Sequence, residues 1–143
     1  MLPPTDDPNG PKPTPPPGGR GDLILVIEDE ADVRSMIQRL LEMRGYRTLA
    51  ADSGQTGLAL YQEHRAAVRA IITDLRMPSM HGTEVIDGLR GINPDARIVA
   101  MSGVLGQSLK LVEQPGRLVY LPKPMTSAEL ARALQSVTAD PPV

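Results

Sequence analysis

Cysteine, phenylalanine and tryptophan are all missing from this chain of 143 residues. Without cysteine there is no disulfide framework, no thiolate zinc site and no thiol nucleophile. Without Phe or Trp the core has to be aliphatic, with methionine as an adaptable filler. No apolar run approaches the ~20 residues that cross a bilayer. The polar, proline-rich start does not read as a signal peptide, so a cytoplasmic location is the expectation, with no membrane insertion. A net charge of −2 gives no electrostatic footing for nucleic acid or an anionic membrane. The nucleotide-cradling patterns GxxxxGKS/T and GxGxxG do not occur either.

What the chain does have is a set of short apolar runs alternating with helical patterns. Residues 1–21 are rich in Pro and Gly, with almost nothing to bury, and read as a disordered linker or tail. Pro13 to Pro16 fits a weak PxxP pattern. Leu23-Ile24-Leu25-Val26-Ile27 reads as a buried strand. Val33, Met36, Ile37, Leu40 and Leu41 then form one apolar helical stripe, ended by Arg44 and Gly45. Residues 46–50 predict a second strand. Ser53 is the expected cap of a helix that carries Leu58 and Tyr61 and ends near His64.

Ala70-Ile71-Ile72-Thr73-Asp74 predicts a third strand, followed by a loop over 77–82 and a short helix with Val85, Ile86 and Leu89 inward. Residues 97–101 and 118–121 predict the fourth and fifth strands, with a weak helix over 105–113 between them. Thr126 to Glu129 has the capping-box pattern, opening a last helix with Leu130, Leu134 and Val137 on its inner face. Continuous apolar strands separated by helices imply a doubly wound α/β domain: a five-stranded parallel sheet with five helices. Its expected extent is 22–138, with a tail at 139–143.

Polar residues close four of the five strands. Glu28 and Asp29 follow the first, Asp74 ends the third, Ser102 follows the fourth and Lys123 follows the fifth. In a parallel sheet these ends share one edge, where open α/β sheets bind ligands. Clustered carboxylates repel unless a cation intervenes, and Mg²⁺ suits carboxylates, a backbone carbonyl and waters. Asp29 and Asp74 are the expected direct ligands, with the Arg76 carbonyl as backbone ligand and Glu28 acting through water. An exposed, metal-bound Asp74 can attack phosphorus and form an acyl phosphate. Lys123 would stabilise charge on the phosphoryl oxygens, and the Ser102 hydroxyl would meet one of them.

Each of these residues has a plain structural reading when taken alone. Asp74 could cap a strand, Glu28 and Asp29 could be acids at a helix start, and Lys123 could be a solvated charge. It is their joint occurrence, in order, that favours the chemical reading. His81 reads as solvated, His64 as a helix-end residue, and Met77 and Met80 as loop packing.

At these motifs the chain resembles the response-regulator receiver domains of two-component signalling. The acidic pair in LILVIEDE, the acceptor in TDLRMP, the hydroxyl in VAMSG and the lysine in YLPKP carry the resemblance, which extends over about 22–138. It implies the flavodoxin-like receiver fold with strand order 2-1-3-4-5. It implies phosphoryl transfer to Asp74 from a histidine kinase or phosphotransfer protein, using Mg²⁺. It further implies that Tyr120 is a switch residue, that the Lys123–Pro124 bond is cis, and that the signal leaves through the fourth helix, fifth strand and last helix.

The sequence shows small departures from the family pattern at Glu28, where many members have Asp, and at Ser102, where Thr is commoner. Arg76 and Val104 occupy positions that tune phosphoryl lifetime in the family. Such a domain is a switch more than an enzyme. Two other classes stay open: a degenerate receiver that only binds proteins, and an Asp-nucleophile phosphatase or phosphotransferase. The second usually needs an acid where Arg76 stands. The Pro/Gly segment running into the first strand resembles the linker before the C-terminal receiver of a hybrid sensor kinase. Whether the domain is a monomer or a weak dimer stays open.

Overall fold

The computed structural model describes residues 21–77, 80–102, 117–123 and 125–138. Along the chain these form β1 (Leu23–Ile27), α1 (Ala31–Glu42), β2 (Arg47–Ala51), α2 (Gly54–His64), β3 (Val68–Asp74), β4 (Arg76–Met77), β5 (Met80–His81), α3 (Gly82–Ile92), β6 (Ile98–Ser102), β7 (Leu118–Pro122) and α4 (Ser127–Thr138). The main sheet is parallel, in the order β2-β1-β3-β6-β7. This is the expected 2-1-3-4-5 arrangement once the small β4–β5 ladder is set aside. That ladder is antiparallel, pairing Arg76 with His81 and Met77 with Met80, in a stretch that the sequence gives as plain loop. Four helices lie among the described residues. The helix expected over 105–113, residues 1–20 and 139–143, Val104 and the Lys123–Pro124 bond lie outside them.

Strand alternation sorts the core into two layers. Ile24 and Val26 of β1, Ala70 and Ile72 of β3, and Val99 and Met101 of β6 pack with Ile37 and Leu41 of α1 and Leu130, Leu134 and Val137 of α4. Leu25 and Ile27, Ile71, and Ile98 and Ala100 pack on the other face with Tyr61 of α2 and Val85, Ile86 and Leu89 of α3. Both faces are covered, as an all-parallel sheet requires. The stripe expected on α1 needs one correction. Val33, Ile37, Leu40 and Leu41 turn to the core, but Met36 is 45% exposed. It sits at the edge of the stripe, one helical step of about 100° from Ile37, and is left largely uncovered.

Local chemistry sets the helix ends. After α1 the Gly45 N–H donates to the Glu42 carbonyl at 3.0 Å and the Tyr46 N–H to the Leu41 carbonyl at 3.1 Å. This is the paired C-terminal pattern that needs a left-handed residue, and Gly45 has φ 87°. The Ser53 hydroxyl accepts from the Thr56 N–H at 3.1 Å and caps α2. Thr126 and Glu129 form the reciprocal box before α4, with bonds of 2.8 and 3.1 Å. The last carbonyls of α4 accept from arginines that come from the sheet: Arg97 at Val137 and Arg69 at Thr138, both at 2.6 Å.

Gly57 is where α2 lies against β1. A Cβ added there would stand 2.7 Å from Ile27 Cγ1, and Ile27 is a fully buried, χ1-stiff side chain. Gly57→Ala should therefore lower stability. Overpacking costs about 1–3 kcal/mol, against about 1 kcal/mol gained in helix propensity. A urea midpoint that falls despite the better helix former checks this.

Candidate functional site at the strand ends

The parity that builds the core also aims the site. Ile24, Val26 and then Glu28 share one face of β1, as do Ala70, Ile72 and Asp74 on β3 and Val119, Leu121 and Lys123 on β7. The ladder continues past the strand ends, with the Glu28 N–H on the Ala51 carbonyl at 3.0 Å and the Lys123 N–H on the Ser102 carbonyl at 2.8 Å. Alternation therefore persists to these residues, and three distant polar side chains lean the same way. Lys123 Nζ donates to Glu28 Oε1 at 3.1 Å and to Asp74 Oδ2 at 3.0 Å. The two acids are almost wholly buried, Glu28 at 0% and Asp74 at 3% exposure, which corrects the expectation of an exposed Asp74: Lys123 lies across the carboxylate.

Each remaining carboxylate oxygen has a backbone donor. The Glu30 N–H reaches Glu28 Oε2 at 3.1 Å, and the Arg76 N–H reaches Asp74 Oδ1 at 3.0 Å. Asp29, half-buried, brings a third carboxylate, and one oxygen from each of Glu28, Asp29 and Asp74 lies within 4.8 Å of the others. With all three acids ionised, three negative charges face one ammonium, so two negative charges are left over. Burial raises the Glu28 carboxyl to about 7, helped by the Asp74 charge and opposed by the Glu30 amide and Lys123. Burial alone would lower the Lys123 ammonium, but its bonds to Asp74 and Glu28 outweigh this and raise it. A cluster of hard oxygen donors with two uncompensated charges fits a divalent cation such as Mg²⁺.

Ser102 ends β6, next to Asp74, which pairs with Met101. It is half-buried and is tied to Lys123 through its carbonyl. Tyr120 lies opposite Ala100 on β7 and packs half-buried on the α2–α3 side of the sheet, outside the charged cluster. The Arg76 side chain is exposed. One residue absent from the sequence reading belongs here. Arg34 Nη1 donates to the Glu28 carbonyl at 2.9 Å and to the Asp29 carbonyl at 3.4 Å. The signal that could have found it is a cation in the first turn of a helix, where the macrodipole disfavours positive charge.

A parallel 2-1-3-4-5 sheet with an acid cluster and a lysine at its C-terminal rim defines a class of signalling domain, and the comparisons agree. The family model of the response regulator receiver domain matches residues 24–135. The chain belongs to this family. It is 33% identical over 113 residues to the photosynthetic apparatus regulatory protein RegA of Rhodobacter capsulatus, covering 78% of this chain and 60% of RegA. It is 30% identical over 115 residues to the sensor kinase CckA of Brucella abortus, covering 80% of this chain and 12% of that protein. The chain thus spans only part of these relatives.

Among solved structures, the receiver domain of the hybrid histidine kinase CckA aligns at TM-score 0.67 and 32% identity, covering 80% of this chain and 98% of that one. The receiver domain of a sensor histidine kinase of Pseudomonas aeruginosa, with a magnesium ion in its active site cleft, aligns at TM-score 0.74 and 26% identity. That alignment covers 84% of this chain and 99% of the other. No helix among the described residues is long and apolar enough to cross a membrane.

Proposed function

We propose that this domain is a phosphoacceptor switch in which Asp74 takes a phosphoryl group from the phosphohistidine of a histidine kinase or phosphotransfer protein. The observation that carries the reading is the position of Lys123, whose ammonium spans Asp74 Oδ2 and Glu28 Oε1 at 3.0 and 3.1 Å. Mg²⁺ would be held by Asp29, Asp74 and the Arg76 carbonyl, with Glu28 acting through water. When bound it supplies charge neutralisation for the transferring phosphoryl group.

The chain's own residues do the rest. The Arg76 amide holds Asp74 Oδ1, so the oxygen held only by a flexible ammonium, Oδ2, is the one to attack phosphorus. As the new O–P bond forms, the P–N bond to the donor imidazole breaks and its electron pair returns to the ring. Lys123 leaves Oδ2 and follows the charge onto a phosphoryl oxygen. Ser102 meets another of these oxygens, and Tyr120 turns toward the space that Ser102 vacates. β7 and α4, with the segment between β6 and β7, carry the change outward, a local charge event acting on a bistable surface. Likeness to CckA supports a setting in a hybrid sensor kinase, with 22–138 as the folded unit and 1–21 as its linker.

A titration with beryllofluoride and Mg²⁺ tests the proposal. NMR shifts at Asp74, Ser102 and Tyr120 that require both additives support it. Shifts that arise equally without Mg²⁺, or none at all, overturn it.

The same site sets a pH dependence. An acid raised to about 7 holds its proton below that pH and must release it for the cluster to bind a cation. Apparent Mg²⁺ affinity should fall by up to about tenfold per pH unit below 7 and level off above it. Without metal the sign is opposite. The folded state then holds the Glu28 proton more tightly than the unfolded chain, so stability declines as pH climbs from 4.5 toward about 7. Calorimetric Mg²⁺ titrations and metal-free melts between pH 5 and 8, on the order of three units across the transition, check both slopes.

A further inference from the structure

Arg34 is a cation in an unfavourable place. It sits at the end of the first turn of α1, where the exposed amide dipoles repel positive charge. Among the described residues it forms no ion pair. Its guanidinium instead turns back along the chain and donates from Nη1 to the carbonyls of Glu28 and Asp29, at 2.9 and 3.4 Å. Its own N–H donates to the Glu30 carbonyl at 2.8 Å. That last bond is the ordinary first turn of the helix, so the side chain itself holds two successive carbonyls of the acidic turn, those of Glu28 and Asp29.

Those carbonyls belong to the residues whose carboxylates make up two thirds of the acid cluster. Between the end of β1 and the start of α1 only Glu28, Asp29 and Glu30 are free of regular structure. α1 itself has no side-chain cap at Glu30, so the usual device for fixing a helix entry is missing. Arg34 supplies that constraint from inside the helix. Nη1 carries two hydrogens fixed in the guanidinium plane, so this one nitrogen can serve both acceptors.

We infer that Arg34 is a positioning residue for the cation site: it fixes the Glu28–Asp29 turn so that both carboxylates meet Asp74 before any ion arrives. The inference rests on the reading of this cluster as a divalent-cation cradle. It makes a prediction that plain electrostatics reverses. Arg34 brings positive charge close to a cation site, so deleting it should tighten Mg²⁺ binding if charge alone mattered. If the clasp matters more, deletion loosens the turn and weakens binding.

The test is Mg²⁺ calorimetry on the intact chain at pH 8 (about one unit above the Glu28 transition), with wild type, Arg34→Ala, Arg34→Lys and Asp29→Asn. Losing a residue that orients metal ligands typically costs about 10–100-fold in affinity. Arg34→Ala is expected to weaken binding about tenfold. Arg34→Lys keeps the charge but not the length and the fixed, planar pair of Nη1 hydrogens, and should stay about threefold or more below wild type. It also serves if the alanine variant does not fold.

Amide hydrogen exchange on the metal-free proteins gives a readout independent of the ion. Exchange at Glu30, whose N–H is held by Glu28, should accelerate about tenfold, while Val26 and Ile72 follow only global stability. Arg34→Ala binding Mg²⁺ as tightly as wild type or tighter, or Glu30 tracking the core, overturns the inference about Arg34 alone, provided that Asp29→Asn abolishes binding. Wild type that binds no Mg²⁺, or Asp29→Asn that binds normally, overturns the reading of the site and this inference with it.

Discussion

Asp74→Asn should bring phosphoryl incorporation from acetyl phosphate down to background, at least about a thousandfold, or about 4 kcal/mol at the barrier. An amide oxygen of the same shape can still accept the Arg76 N–H, now held at 3.0 Å, so the turn after β3 keeps its geometry. What it loses is the anionic nucleophile. The fold should not suffer, because Asp74 is one of two buried acids sharing a single ammonium. Removing its charge ends a repulsion that helps raise Glu28. The metal-free variant should therefore melt no lower than wild type. Intact-mass analysis after acetyl phosphate treatment, read beside a thermal melt, separates loss of the acceptor from loss of the fold. Label still appearing at the wild-type rate would place the acceptor elsewhere.

Much of this was legible in the sequence because it rests on periodicity and on residue type. β1, β3 and β6 are continuous apolar runs that can be recognised without knowing their partners, and the rim residues follow from where those runs stop. The caps at Ser53 and Thr126 are equally local, since each is a hydroxyl three residues from its partner. Illegibility began where tertiary context decides. Met36 satisfies the helical stripe on α1, but its exposure depends on what packs nearby. The β4–β5 ladder needs backbone pairing in a stretch whose composition signals only a loop. The partners of Arg34 are backbone carbonyls, which leave no mark in a side-chain pattern. The end of the fifth apolar run puts Lys123 at the rim, but its simultaneous hold on Glu28 depends on side-chain reach, which the run does not reveal. That contact uses the reach of the Glu28 side chain from the first position past β1.

The double contact makes Lys123→Met the more informative variant for stability. In chelator at pH 8, above the Glu28 transition near 7, it should lose about 3 kcal/mol. Removing one partner of a buried charge cluster leaves the others without compensation. Glu28 and Asp74 are both nearly inaccessible, and their oxygens lie 3.1 and 3.0 Å from the lost ammonium. Two responses limit the damage, and both are measurable. Lys123 helps hold the Glu28 proton affinity down, so without it Glu28 takes up a proton at higher pH than in wild type, and the deficit should shrink as pH falls toward 7 and level off below it. Mg²⁺ supplies charge of the same sign, so saturating Mg²⁺ should restore most of the lost melting temperature and raise the variant more than it raises wild type. Acceptance of a phosphoryl group should persist, because Asp74 is intact, but about 100- to 1,000-fold more slowly for want of a cation on the developing charge. A variant that melts with wild type in chelator at pH 8 would show that the ammonium contributes little to holding the two acids. The site would then be held by the backbone donors of Glu30 and Arg76 alone.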